Sequence, residues 1–227
     1  MKRIIFLLIA FALILTACIP DIVDRNPSQG SEPPPTLQPV EKVLSSFNPI
    51  NGTDYLMAAI IAVPLTREVS LNPLEWINSG SSSYSSNTHN YVFFNMQTEQ
   101  YHRLLPANDY AIAQTSGFPT LQYDPANPNQ PAPTIEWWMY TVIKKDTDGN
   151  GQLGYGDDLT ISLSDVGGNG YTELIENVDS VFGQFYRNSS TLIIIYSADK
   201  KNYIAKINPS TREVLSTTEM ELGEDVK

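Results

Sequence analysis

Residues 135–176 read IEWWMYTVIKKDTDGNGQLGYGDDLTISLSDVGGNGYTELIE, and three segments of this stretch decide the fold class. Ile135 to Lys144 is a long run of apolar, aromatic and β-branched residues, and Leu159 to Asp165 and Tyr171 to Glu176 are shorter runs of similar character. Asp, Gly and Asn fill the gaps between them. Runs of this composition bounded by turn residues read as strands, so the stretch is expected to fold as a meander. The pattern continues outward. Asp54 to Val63, Tyr91 to Met96, Gln100 to Leu105, Tyr110 to Gln114, Thr191 to Tyr196, Tyr203 to Ile207 and Glu213 to Thr217 also read as strands, and no persuasive helix stands between them. The chain is therefore expected to be all-β. Two connections, Ser79 to Asn90 and the proline-rich Ser116 to Pro133, are too long for simple turns.

The order strand, turn, strand, strand of residues 135–176 recurs in shorter form in Thr191 to Thr217, and more loosely in Asp54 to Gln114. These segments resemble the blade meanders of TolB-like and WD40-like propellers, some of which carry an Asp-rich metal loop inside a blade; the Trp-Asp dipeptide of the latter is absent. The resemblance implies a propeller-like stack of antiparallel meanders. Burial patterning points the same way, because Leu192 to Ile195 and Leu56 to Val63 are apolar without alternation, as strands covered on both faces are. Propellers close with about four to eight blades and only three meanders can be counted, so a β-sandwich or partly open barrel stands as the alternative.

Between the first two strands of the meander lies a spacing of oxygen donors that a twelve-residue calcium loop requires. Asp146, Asp148 and Asn150 stand at loop positions 1, 3 and 5, Gly151 at the sharp turn of position 6, and Gln152 would offer its carbonyl at position 7. Leu153 can pin the loop to a core. Asp157 occupies position 12 in place of the longer Glu, so Asp157 or its neighbour Asp158 would bind through one oxygen. Modest affinity follows, in the roughly 0.1 to 1 mM range of extracellular modules. The alternative is a solvated Asp/Gly turn. Strands flank this loop where an EF-hand has helices, so the ion is expected to order a hairpin tip and not to open a groove.

At the amino terminus, Lys2-Arg3 precedes an apolar run from Ile4 to Leu15, too short to span a membrane and typical of an export signal over residues 1–17. Leu15-Thr16-Ala17-Cys18 resembles the bacterial lipobox, which implies cleavage before Cys18, diacylation of its thiol and acylation of the new amino terminus. Several acyl chains make a stable membrane anchor. Ile19 follows the cysteine where an inner-membrane retention signal would have Asp, so by the same resemblance the outer membrane is favoured. Cys18 is the only cysteine, so no disulfide forms within the chain. Residues 18–46, with Pro20, Pro27, Pro33, Pro34, Pro35 and Pro39, read as a disordered tether; residues 47–222 read as the β-domain and residues 223–227 as an acidic tail. Loss of Lys2 and Arg3 on cleavage takes the formal charge from -11 to -13, which disfavours nucleic acid and anionic headgroups as partners.

Catalytic constellations are sparse. The only histidines, His89 and His102, have no metal spacing, and no Gly-x-Ser-x-Gly elbow or phosphate-binding glycine loop occurs. Trp138 and Tyr140, two apart on one strand, share a face that is either core or an aromatic platform for a sugar ring. The expected function is that of a non-catalytic, calcium-binding envelope lipoprotein acting on a protein partner as an interaction or assembly module. The alternative is a carbohydrate-binding or carbohydrate-active surface lipoprotein. Because no other residue can accept the thioether-linked lipid, Cys18→Ser should abolish fatty-acid labelling and release the protein from the membrane fraction; a mutant that still labels would refute the anchor.

Overall fold

The computed structural model describes residues 40–64, 88–119, 133–188 and 190–223. The chain divides into two compact units, Met1–Gln38 and Pro39–Lys227, and every described residue belongs to the second. The lipobox, the tether as far as residue 39, the Ser-rich stretch up to residue 87 and residues 120–132 of the proline-rich connection lie outside the described residues.

The described residues form strands and turns without a helix, in three antiparallel sheets that follow one another along the chain. Sheet 1 pairs β1 (Val40–Leu44), β3 (Tyr55–Pro64), β4 (Thr88–Asn95) and β5 (Gln100–Arg103) in that order, with the short β2 (Asn48–Pro49) beside β3. Sheet 2 runs β6 (Ala111–Phe118), β7 (Trp137–Ile143), β8 (Leu159–Asp165), β9 (Thr172–Val178), and sheet 3 runs β10 (Ser180–Asn188), β11 (Thr191–Ala198), β12 (Lys201–Asn208), β13 (Glu213–Met220). The all-β class is as expected. Three strands were not legible: β1, the two-residue β2 and β10. β10 carries Gly183 and two register shifts, which interrupt the periodicity of a strand. β1 lies inside the stretch read as tether, and the domain therefore begins before residue 47: Val43 and Leu44 pair with Ile61 and Ile60 of β3, a partner that proline-rich surroundings concealed.

Two cores meet on sheet 2. On one face, Met139, Ile161, Leu163 and Val178 pack with Leu192, Ile194, Ala205 and Ile207 of sheet 3. On the other, Tyr140, Val142 and Ile112 pack with Phe93, Leu104 and Leu105 from sheet 1 and the turn after it. Alternate side chains of β7 thus enter different cores, and Met139 to Ile143 are all buried. Each large apolar side chain removed from water in this way contributes about 1.5–3 kcal/mol before entropy is set against it. The expected two-sided burial is displaced in position: β11 alternates between buried Leu192, Ile194 and Tyr196 and half-buried Ile193 and Ile195, and most of β3 is half-buried. Among the described residues, only the middle sheet has a sheet packed on each side.

The turn after β8 locks sheets 1 and 2 together. Gly168 has a φ of 79°, and a Cβ there would stand 2.3 Å from the Phe93 ring, so the turn can approach sheet 1 only with glycine. A second lock is Asn90, wholly buried in β4. Its amide nitrogen donates to the carbonyls of Leu105 and Ala107 and to Asn108 Oδ1, while its oxygen accepts from the amides of Leu105 and Tyr91. The side chain satisfies backbone groups of the connection to β6 that no strand pairs. Asn90→Ala leaves buried donors and acceptors unmet and should cost on the order of 3 kcal/mol in urea unfolding, whereas a cost under about 0.5 kcal/mol would show the connection to be held by packing alone.

Candidate metal centre

The β7–β8 hairpin ends at the pair Ile143 and Leu159, so residues 144–158 close its tip over the most buried part of the fold. Lys144 anchors the stem through ion pairs with Glu173 at 2.7 Å and Glu176 at 3.1 Å on β9. Within the loop the chain reverses with Gly149, Gly151 and Gly156 at positive φ. The turn assigned to Gly151 is real, with a φ of 84° that a side chain would strain.

Side-chain oxygens organise the loop from inside. Asp146 accepts from the amides of Gly149 and Asn150 on Oδ1 and of Gly151 on Oδ2, at 2.7 to 3.1 Å. Asp148 accepts from the amide and the side-chain nitrogen of Asn150, whose own oxygen accepts from the Gln152 amide. Asp157 is the buried member, 4% exposed: Oδ1 accepts from the Thr147 amide at 2.6 Å and the Asp148 amide at 3.2 Å, and Oδ2 from the Gly154 amide at 2.8 Å. Burial pushes the Asp157 carboxyl up, but the amides of Gly154, Thr147 and Asp148 together outweigh it and hold the group below the usual carboxylate value.

Carboxylate oxygens of Asp146, Asp148 and Asp157 lie within 4.8 Å of one another. Two oxygens bound to one calcium at about 2.4 Å stand at most roughly 4.8 Å apart, so the three groups fit a single ion of that size. None of the three is paired with a cationic side chain among the described residues. Asn150 joins them through its 2.8 Å bond to Asp148. Of the two carboxylates considered for position 12, Asp157 enters the group; the backbone amide of Asp158 instead donates to Thr147 Oγ1, and its carboxylate is not among the three. Gln152 is exposed beside Asn150, with its amide in the loop network.

Two residues of this site went unread in the sequence. Thr147 bridges the loop's ends, its hydroxyl lying 3.3 Å from Asp157 Oδ1 while accepting from the Asp158 amide. At Gly156, whose φ is 107°, a Cβ would come within 2.6 Å of Asp148 Oδ2, so glycine there makes room for the carboxylate. The Thr at loop position 2 and the Gly just before position 12 carry no ligand atom, and a reading directed at ligand types passes over them.

The aromatic platform is corrected. Tyr140 is fully buried, with its hydroxyl 2.9 Å from Ser164 Oγ, and Trp138 packs against the same core while its indole donates to the Val166 carbonyl. Sheet 1 covers the face that a sugar would need. His89 stands in β4 with Nδ1 2.6 Å from the Tyr110 carbonyl, and His102 stacks on Phe93, so neither approaches the carboxylates' hydrogen-bond network. A cleft of about 270 Å³ does open beside the loop, lined among others by Gln114, Thr141, Tyr155, Asp157, Asp179 and Ser180. No family model, curated protein or solved structure matches this chain.

Because the folded Asp157 carboxyl is held below its ordinary value of 3.8, its contribution to stability is fully present above that value and is lost as pH falls through the lower folded value. Asp157→Asn should lower the melting temperature at neutral pH and flatten the acid limb of the profile below about pH 4. Equal acid sensitivity in mutant and parent would place the acid-labile group elsewhere.

Proposed function

We propose that this chain is a non-catalytic β-module whose β7–β8 hairpin tip binds calcium, carried on the outer membrane by lipid at Cys18 and serving as an interaction or assembly module of the envelope. The observation that supports the metal most strongly is the convergence of Asp146, Asp148 and Asp157 without a cationic partner among the described residues. Three carboxylates in such proximity repel one another, and a divalent cation relieves that repulsion. Hard oxygen donors on a chain with an acidic balance suit calcium, and magnesium fits less well because it demands a tighter octahedron and retains its waters. The amides that hold Asp146 and Asp157 pre-shape the loop, so the ion would tighten an existing tip without building a new fold.

A carbohydrate-binding role is the second reading, and its place moves from Trp138 and Tyr140 to the cleft beside the loop. Tyr155, 82% exposed at that cleft, offers a ring face, and Gln114, Thr141, Asp179 and Ser180 offer hydrogen-bonding groups. A glycan array separates the two readings, since only the second expects saturable binding that Tyr155→Ala abolishes.

The calcium reading is tested by calorimetry on a chain beginning at Pro39, which retains β1. With a dissociation constant near 0.1 to 1 mM, calcium at about 1 mM should add roughly 0.4 to 1.4 kcal/mol of stability, a rise of a few degrees in melting temperature. Asp146→Ala combined with Asp148→Ala should remove that dependence and leave the β-sheet spectrum intact. No heat of calcium binding, with an unchanged melting temperature, would reduce the loop to an acidic turn.

A further inference from the structure

Asn–Gly dipeptides occur three times in the chain, at Asn51–Gly52, Asn150–Gly151 and Asn169–Gly170, and all of these residues are exposed. Such pairs are reactive because glycine has no side chain to screen its amide nitrogen, which can attack the side-chain carbonyl carbon of the asparagine before it. The three differ in what holds them. Gly151 donates its amide to Asp146 Oδ2 at 2.7 Å, and the Asn150 side chain is engaged at both ends, its nitrogen with Asp148 Oδ2 and its oxygen with the Gln152 amide, each at 2.8 Å. Asn51 is tied across to the segment before β7: its side-chain nitrogen donates to the Pro133 carbonyl at 3.1 Å and its backbone carbonyl accepts from the Ile135 amide. Asn169–Gly170, in the turn between β8 and β9, is held least. The Gly170 amide makes no hydrogen bond among the described residues, and the Asn169 side chain has a single contact there, from its nitrogen to Asp165 Oδ1 at 3.5 Å, the outer limit of a hydrogen bond.

Attack requires the glycine amide to give up its proton, so the charge beside it matters. At Gly151 that charge is the Asp146 carboxylate, which opposes an anion. At Gly170 it is the Arg212 guanidinium from the turn between β12 and β13: a Cβ on Gly170 would stand 2.5 Å from Arg212 Nη1 and 2.8 Å from its Cζ. Adding the roughly 2.5 Å between the N and Cβ of one residue puts the Gly170 nitrogen within about 5 Å of the charge, a range at which an opposite charge favours the ionised form. Asp165 is the nearby carboxylate, and its Oδ1 accepts the Asn169 amide at 2.7 Å, upstream of the reacting bond. Arg212 makes no ion pair among the described residues, and its Nε is buried without a partner. We infer that Asn169 is a self-modification site, converted to aspartate and isoaspartate in the folded protein with the help of Arg212. The Gly170 nitrogen bonds to Asn169 Cγ, the Cγ–Nδ2 bond breaks, and Nδ2 leaves as ammonia with the proton that the amide lost, leaving a cyclic imide. Water then opens the imide at one carbonyl to give aspartate, or at the other to give isoaspartate, whose main chain runs through the former side chain. Either product sets a carboxylate next to Gly170, where Arg212 gains the partner it lacks.

The test incubates the full chain in mild detergent at mildly alkaline pH and follows each Asn–Gly pair by peptide mapping and by enzymatic methylation of isoaspartate. In the folded protein Asn169 should convert at least about tenfold faster than Asn150, the effect of one unit in a proton equilibrium, and faster than Asn51. In concentrated urea, where only the shared dipeptide remains, the three rates should converge. Arg212→Gln should slow conversion at Asn169 by roughly three- to tenfold, with an unchanged β-sheet spectrum and no effect in urea, and Arg212→Lys, which keeps the charge, should restore most of the rate. Conversion of Asn51 or Asn150 as fast as that of Asn169 in the folded chain overturns the assignment. So does a ranking that persists in urea, which traces it to sequence and not to the fold. A rate at Asn169 that Arg212→Gln leaves unchanged overturns the part given to the guanidinium.

Discussion

Sheet 2 is covered on both faces, and the rest of the structure depends on that cover. A strand whose alternate residues enter two different cores cannot slip by one register without exchanging Met139 for Tyr140 in environments that accept neither. The constraint reaches its neighbour β8, where Thr160, Ser162 and Ser164 are buried against the sheet 1 side although their composition is that of a wet face. Small hydroxyls there leave room for Tyr140, and Ser164 both meets the Tyr140 hydroxyl and donates to the Asp165 carbonyl. The middle layer is therefore specified by packing on one side and by packing with local hydrogen bonds on the other.

The candidate metal centre inherits its rigidity from this layer. Its loop springs from Ile143 and returns at Leu159, a pair fixed at the end of the most deeply buried hairpin, with Lys144 held by two glutamates just beyond. Asp157 then folds the loop back onto itself through the amides of Thr147, Asp148 and Gly154. An ion at such a tip would find its carboxylates already gathered. The consequence of binding would accordingly be local: order in residues 146–158 and in the adjoining wall of the cleft, with little reason for sheets 1 and 3 to move.

How far the sequence could be read follows from what each signal measures. Strands such as β7, β8 and β12 were legible because β-branched and aromatic residues cluster between turn residues, and that composition survives any tertiary context. β1, β2 and β10 were not: β1 because proline-rich surroundings concealed it, β2 because two residues carry no pattern, and β10 because Gly183 and the register shifts break its period. Face assignment failed where it relied on unbroken apolar runs: β11 and β3 were expected to be covered on both faces, yet β11 is fully buried on one side only and most of β3 is half-buried. The loop's carboxylates could be named from spacing, since a chelating loop is a local object. Which of Asp157 and Asp158 turns inward, and the parts played by Thr147 and Gly156, depend on how the loop's two ends meet, and spacing does not record that.

Amide hydrogen exchange tests the central claim most directly, because it reads burial and loop order separately along one chain. The account requires the slowest exchange in Met139–Ile143 and Thr160–Ser164, slower than in β11 or β3, and requires millimolar calcium to slow exchange in residues 146–158 while leaving the sheets nearly unchanged. Exchange in β7 and β8 no slower than in the outer sheets would contradict the two-sided cover on which the fold is argued to rest. A calcium effect spread evenly over all three sheets would contradict the assignment of the ion to a hairpin tip.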